Sequence, residues 1–223
     1  MKGQIAVLGV GRFGYSLART LFEMGYEVMA LDMDENRIQA ISPYVTHAVQ
    51  GDATSEAVLR DLGVRDFEIA VVAAGSTIET SVLSTILLKK LGVPYVIARA
   101  VTDLHGEILQ KIGADQVVFP QRDMGRRVAH GVTLIDVVDY MSVTKRYGVS
   151  KILSLPFLVG KDLAELGFGK HGEWKAAVLL IQRGKDIIIS PHENEVITAK
   201  DVLIVAGNDS DLEDLLSEAK KKP

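Results

Sequence analysis

Apolar positions in the first half of the chain fall into short unbroken runs that alternate with stretches of helical period. Ile5–Leu8, Glu27–Leu31, Thr46–Val49, Ile69–Ala73, Tyr95–Ala98 and Gln116–Phe119 read as six strands. Between them Tyr15–Met24, Glu35–Ile41, Ser55–Leu62, Ile78–Leu91 and His105–Ile112 read as helices. The first of these places Leu17, Ala18, Leu21 and Phe22 on one face. Gly25, Gly92 and Gly113 punctuate helix ends, and Thr54 reads as an N-cap. Short apolar strands alternating with helices are the pattern of a parallel sheet covered on both faces. Residues 1–120 are therefore expected to form one doubly wound α/β domain.

The rhythm stops at Pro120. Gln121–Met141 carries Met124, Val128, Val132, Ile135, Val138 and Met141 at helical spacing, which predicts a crossover helix within a connector over 121–148. An apolar face on a connector needs a cover, and a second subunit is the simplest one. From residue 149 the pattern becomes a small α+β unit, 149–223. Lys151–Leu155 reads as a strand and Lys161–Leu166 as a short helix. Ala176–Gln182 and Ile187–Ser190 read as a hairpin turning at Gly184-Lys185-Asp186. Val202–Ala206 reads as a last strand and Ser210–Ala219 as a closing helix.

The first strand runs into Gly9-Val10-Gly11-Arg12-Phe13-Gly14, a Gly-x-Gly-x-x-Gly turn between strand and helix. In such a turn Gly9 permits the tight bend, Gly11 lets backbone approach a pyrophosphate, and Gly14 lets the helix sit close to the strand. The helix N-terminus adds free N–H groups and a partial positive charge. Asp32 ends the second strand, where a carboxylate accepts both ribose hydroxyls of an adenosine and repels a 2′-phosphate. Asp34 is read either as a ligand group or as a cap for the next helix. Asp52, Ala53 and Thr54 follow the third strand, where the topology brings a loop beside adenine; a helix cap is the alternative. Ala73-Ala74-Gly75 ends the fourth strand with small residues that leave room for a ligand. Arg12 stands inside the anion turn, where a guanidinium grips a terminal phosphate and tilts the ligand towards ATP or ADP. Arg99, after the fifth strand, faces the same edge.

Composition narrows the classes. The 223 residues carry 25 Lys+Arg against 29 Asp+Glu, a net charge of −4, and no cysteine. Disulfides and thiolate metal sites are excluded, and nucleic acid is not expected as a partner. Met1-Lys2-Gly3-Gln4 leads directly into a strand, so no signal peptide is expected, and no apolar run approaches the ~18 residues of a membrane span. A cytosolic address follows as the expectation. His47, His105, His130, His171 and His192 stand in no catalytic or metal-binding spacing and read as surface or cap histidines. No catalytic residue, no metal site and no enzyme activity are therefore expected. An NAD-dependent oxidoreductase and a dimerisation module with a vestigial pocket remain the alternatives.

Five motifs taken together are specific: Val7–Gly14, Leu31-Asp32-Met33-Asp34, Gly51-Asp52-Ala53-Thr54, Leu91-Gly92-Val93-Pro94 and Ile112–Pro120. They resemble the RCK (regulating conductance of K⁺) domains of bacterial potassium uptake systems, of the KtrA/TrkA type. The resemblance extends through Glu195-Val196-Ile197 and Asp201–Gly207 and so covers essentially the whole chain. It implies a cytoplasmic homodimer that assembles into an octameric ring, beneath a membrane K⁺-translocating subunit of KtrB/TrkH type. Exchange of ATP for ADP, or binding of NAD or NADH, would change the ring. Carried onto this chain, Gly9, Gly11, Phe13 and Gly14 would hold the phosphates and Asp32 with Met33 the ribose. Arg12 would reach a γ-phosphate, and Arg99 would stand near the phosphates. Cyclic di-AMP is implied as a candidate ligand of the C-terminal domain, near Ser190-Pro191-His192. One departure bears on metals. Where KtrA proteins often carry a glutamate, this chain has Gln121 ahead of Asp123-Met124-Gly125, and a neutral amide is a poorer ligand for a hard cation.

Overall fold

Six parallel strands form the first sheet in the order β3-β2-β1-β4-β5-β6. The structure, a computed structural model, describes residues 3–74, 77–133, 137–144, 146–169, 176–208, 210–212 and 214. The strands are β1 (Gln4–Leu8), β2 (Glu27–Asp32), β3 (His47–Gln50), β4 (Ile69–Val72), β5 (Tyr95–Arg99) and β6 (Gln116–Val118). The helices between them are α1 (Arg12–Glu23), α2 (Glu35–Ile41), α3 (Glu56–Asp61), α4 (Ile78–Leu91) and α5 (Asp103–Lys111). The chain divides into two compact units, Met1–Gln121 and Arg122–Pro223.

Apolar clusters lie on both faces of this sheet because alternate residues of each strand point to opposite sides. Ala6, Leu8, Met29, Leu31, Ala70 and Val72 belong to one cluster; Ile5, Val7, Val28, Ala30 and Val71 belong to the other. The strand order reverses between β1 and β4, since the chain leaves β1 for β2 on one side and β4 for β5 on the other. A crevice at the carboxyl ends of these strands is the position where doubly wound sheets take ligands.

Helix α4 packs through Leu88, Val82, Leu87 and Leu91, yet it also buries three hydroxyls and exposes three apolar side chains. Ser81, Ser84 and Thr85 are fully buried, whereas Ile78, Leu83 and Ile86 are exposed. The buried hydroxyls are all satisfied: Ser81 donates to the Ile78 carbonyl, Ser84 to the Ala53 carbonyl and Thr85 to the Ser81 carbonyl.

The second unit holds a five-stranded antiparallel sheet in the order β10-β9-β11-β8-β7. Its strands are β7 (Val137–Ser142), β8 (Tyr147–Leu153), β9 (Ala176–Arg183), β10 (Asp186–Ile189) and β11 (Val202–Asn208), after helix α6 (Pro120–Thr133). Ile152, Leu155, Leu158, Leu163, Ile181, Ile197 and Leu203 form its core. The loop before β11 is fastened by a buried ionic cluster. Asp201 accepts from Arg183 Nε at 3.0 Å and Nη2 at 2.8 Å, and from the Thr198 hydroxyl at 2.8 Å and backbone N–H at 2.9 Å. Arg183 also reaches Glu195 and the Val196 carbonyl. Burial pushes the Asp201 carboxyl up, but the bonds from Arg183 and Thr198 outweigh it and hold the group below its ordinary value.

Several elements differ from the sequence expectation. The crossover helix ends at Thr133, and Met141 lies on β7 instead. Tyr140 is buried beside exposed Met141, which is a strand alternation that the apolar spacing disguised. Strand β8 begins at Tyr147, ahead of the expected Lys151. Lys161–Leu166 forms turns and no helix, because loop 193–197 claims its backbone. The Lys161 carbonyl accepts from Ile197 N–H, and Ala164 N–H donates to the Glu193 carbonyl. Helix α3 is capped by the Ser55 hydroxyl, which accepts from Val58 N–H, and not by Thr54. Helix α1 begins at Arg12, three residues before the expected start. Of the expected closing helix, residues 210–212 and 214 are helical and the rest lies outside the described residues.

Candidate functional site

Gly9, Val10 and Gly11 turn the chain from β1 into α1, and close contacts require glycine at Gly9 and again at Gly14 inside the helix. Gly9 has φ +97°, and a Cβ there would strike the Ala74 backbone nitrogen. A Cβ on Gly14 would strike the Gly9 carbonyl oxygen and stand 3.1 Å from the Ala73 Cβ. Helix α1 thus rests directly on the turn. Gly11 is the opposite case: a Cβ there would meet nothing within 4 Å. It is the N-cap of α1, has no side chain to bond the first turn, and no acidic residue follows it. The uncapped N–H groups and the positive end of the helix dipole therefore face open space. Arg12 is the first helical residue, exposed and free of any ion pair among the described residues. This combination is what an anion requires. The ring of Phe13 packs partly against the cluster that contains Val7 and Val10, so its side chain supports the turn from beneath.

At the end of β2 the Asp32 side chain is only 10% exposed. Its Oδ2 accepts the Val10 N–H at 2.7 Å and its Oδ1 accepts the Asp34 N–H at 2.9 Å. The carboxylate that would hold a ribose also holds the middle residue of the glycine turn. Asp34 is the N-cap of α2, accepting from Asn36 and Arg37 N–H, as the capping reading of the sequence expected. Arg37 was not among the residues singled out from the sequence. Its Nη1 stands 3.4 Å from Asp32 Oδ2 and its Nε 3.3 Å from Asp34 Oδ2. The available signal was its spacing, three residues beyond a capping aspartate and five beyond the ribose candidate. Met33 is 66% exposed, and its carbonyl accepts from Gln50 Nε2, which ties this turn to the end of β3.

The turn after β3 is closed by Asp52, whose Oδ1 accepts the Thr54 N–H and hydroxyl at 2.8 and 2.7 Å. Ala53 is buried and anchored through its carbonyl to Ser84. Ala74 donates its N–H to the Leu8 carbonyl, which holds the β4 exit against β1. Gly75 lies outside the described residues. Arg99 ends β5 half-buried, and its Nε is buried without a hydrogen-bond partner.

His105 is not the surface or cap histidine that its sequence position suggested. It is 1% exposed, and its ring joins two elements of the carboxyl edge. Nδ1 accepts the Val101 N–H, so Nε2 carries the proton and donates to Ser81 Oγ at 2.7 Å. Burial first, then the charge of Arg99, lowers its pKa and keeps the imidazole neutral. His130 and His171 lie outside the described side chains.

In the second unit Ser190 has φ +49° and its N–H donates to the Leu179 carbonyl; His192 Nδ1 accepts the Asn194 N–H. Among the described residues no group of three or more His, Asp or Glu side chains is placed to hold a metal ion. Among them, too, no helix is long and apolar enough to cross a membrane.

Residues 5–120 match the TrkA-N domain and residues 154–220 the TrkA-C domain. The chain is 41% identical over 212 residues to Ktr system potassium uptake protein C of Bacillus subtilis, covering 95% of each. It is 36% identical over 209 residues to Ktr system potassium uptake protein A of the same organism, covering 94% of this chain and 93% of the relative. Among solved structures it is similar to the GsuK channel. The channel bound to NAD matches with a TM-score of 0.50 and 21% identity, over 99% of this chain and 39% of the channel. GsuK bound to ADP matches with a TM-score of 0.53 and 22% identity, over 61% of this chain and 36% of that one. At these identities the likeness to GsuK is one of fold.

Proposed function

The chain belongs to the family of proteins built from TrkA-N and TrkA-C domains, and from that premise we propose that it is the nucleotide-sensing regulatory subunit of a potassium uptake system. The observation that carries the reading is the uncapped N-terminus of α1, opened by Gly11 and flanked by the exposed, unpaired Arg12. With Asp32 at the neighbouring strand end, the crevice offers an acceptor for ribose hydroxyls and donors for phosphate oxygens on one edge. The ligand is ATP or ADP. The whole-chain relatives serve potassium uptake, and GsuK of the same fold binds ADP and NAD.

Nucleotide shifts a conformational equilibrium only by contacting one state better than another. Arg12 is the group that gains a partner when a γ-phosphate is present. The protein acts as a homodimer assembling into an octameric ring at the inner face of the cell membrane, against the K⁺-translocating subunit. Exposed Ile78, Leu83 and Ile86 on α4 and Met124 and Val128 on α6 fit surfaces that other subunits cover.

The test is a thermal-shift panel of ATP, ADP, NAD, NADH and cyclic di-AMP, since a ligand that binds only the native state raises its stability. Stabilisation by ATP and ADP supports the reading. In Arg12→Ala the preference for ATP over ADP should fall by about tenfold, the loss of one charge-assisted contact, while ADP binding persists. Equal loss of both affinities contradicts the role given to Arg12. A second reading, NAD(H) as the ligand, is favoured by Asp32, and stabilisation by NADH alone would establish it.

A further inference from the structure

We propose that Arg37 covers the base of the bound nucleotide: its guanidinium leaves the Asp32 carboxylate when the ribose arrives and stacks on the adenine face. This rests on the reading of Asp32 as the ribose acceptor. Asp32 has too few free acceptor positions for a ribose while Arg37 is bound to it. A carboxylate oxygen offers about two. On Asp32 Oδ2 both are taken, by Val10 N–H at 2.7 Å and Arg37 Nη1 at 3.4 Å; on Oδ1 one is taken, by Asp34 N–H at 2.9 Å. A ribose diol brings two O–H donors, and only one position is open. The bonds from Val10 and Asp34 are short and come from backbone fixed by the glycine turn and the α2 cap. The Arg37 contact is the longest of the three, so it is the one that gives way.

The displaced guanidinium does not go far. Its Nε is 3.3 Å from Asp34 Oδ2, and Arg37 sits in the first turn of α2 with its own N–H on Asp34 Oδ1. It therefore pivots about Asp34 beside the ribose rim, where C1′ carries the base. Its side chain is 53% exposed, which leaves one planar face open to a ring. Arginine stacks on aromatic faces, and a carboxylate beneath it fixes the orientation of that plane. Met33, next to Asp32 in the chain, is exposed at the same strand end and held by Gln50 through its carbonyl.

The experiment uses the full chain and its Arg37→Ala and Arg37→Lys variants. Calorimetry with ADP and with inorganic pyrophosphate is read beside the emission change of 1,N6-etheno-ADP on binding. Loss of one stacked base should weaken ADP about tenfold in Arg37→Ala. Arg37→Lys keeps the charge but not the plane, so it should lose nearly as much. Pyrophosphate binding should stay at the wild-type level, and the etheno-ADP emission change should shrink in both variants. Wild-type affinity in Arg37→Lys would reduce the residue to a charge and overturn the proposal. So would a parallel loss of pyrophosphate, which marks a structural defect. If wild type binds ADP and Arg37→Ala binds it equally, the proposal falls alone. If wild type binds no adenine nucleotide, the reading of Asp32 falls and takes the proposal with it.

Discussion

Asp32 in the first unit and Asp201 in the second are both carboxylates beside a strand end, and both accept backbone N–H bonds. They differ in what they have left to offer. Asp201 has four close donors on its two oxygens, and its side chain is 1% exposed. Asp32 has two close donors and a distant third, and retains 10% exposure at the mouth of a crevice. A saturated carboxylate can only clamp structure, whereas one with spare acceptor capacity can also take a ligand, as proposed for Asp32.

Removing each carboxylate in turn tests that contrast. Asp201→Ala takes two bonds from the Arg183 guanidinium, which keeps Glu195 and the Val196 carbonyl, and both bonds from Thr198. Breaking a buried pair from one side costs several kcal/mol, and the half-exposed Arg183 with its remaining partners brings the expected loss to about 2 kcal/mol. Thermal unfolding of the second unit should show it, with nucleotide stabilisation of the first unit retained. A loss under about 1 kcal/mol would demote the cluster to a surface pair. Asp32→Asn should reverse the pattern. Stability should change by about 1 kcal/mol, and nucleotide affinity should drop on the order of tenfold to a hundredfold, since charged acceptors are worth about 1.5–3 kcal/mol. If Asp32→Asn destabilises as much as Asp201→Ala without touching affinity, Asp32 is a clamp as well.

The smallest effect concerns pH. The folded state holds His105 neutral with a pKa below its ordinary 6.5, so the unfolded chain takes up the proton first. Stability from this group is full above pH 6.5 and is lost as pH falls through that value towards the folded pKa. The first unit should melt at a lower temperature at pH 5.5 than at pH 7.5. His105→Gln should flatten that slope, and an unchanged slope would show that other groups carry it.

What the sequence made legible follows from range. Parallel strands buried on both faces leave continuous apolar runs, so β1 to β6 and their helices could be read from local pattern, with errors only at the ends. Asp32 was legible because its distance from the glycine turn is fixed by one βαβ unit. The second unit mixes half-buried strands with turns whose backbone bonds go to distant loops, so Lys161–Leu166 and the Met141 region were misread from local period. His105 was read as ordinary because its acceptor, Ser81, is on another helix. The pairing of Arg183 with Asp201 went unnoticed because nothing in a linear pattern pairs residues across a hairpin and a loop. Arg37 depended on a side chain reaching back over its own helix cap.

Helix α4 reverses the ordinary rules of protein engineering. Replacing a buried polar residue by a hydrocarbon of the same size is often tolerated, but at Ser81 it would take away the hydroxyl that His105 relies on. Trading exposed Ile and Leu for charges usually improves solubility, yet at Leu83 and Ile86 it would alter the face proposed above to meet a neighbouring subunit. A redesign of this chain for the laboratory bench should leave that helix alone and look for its gains on the polar outer faces of the others.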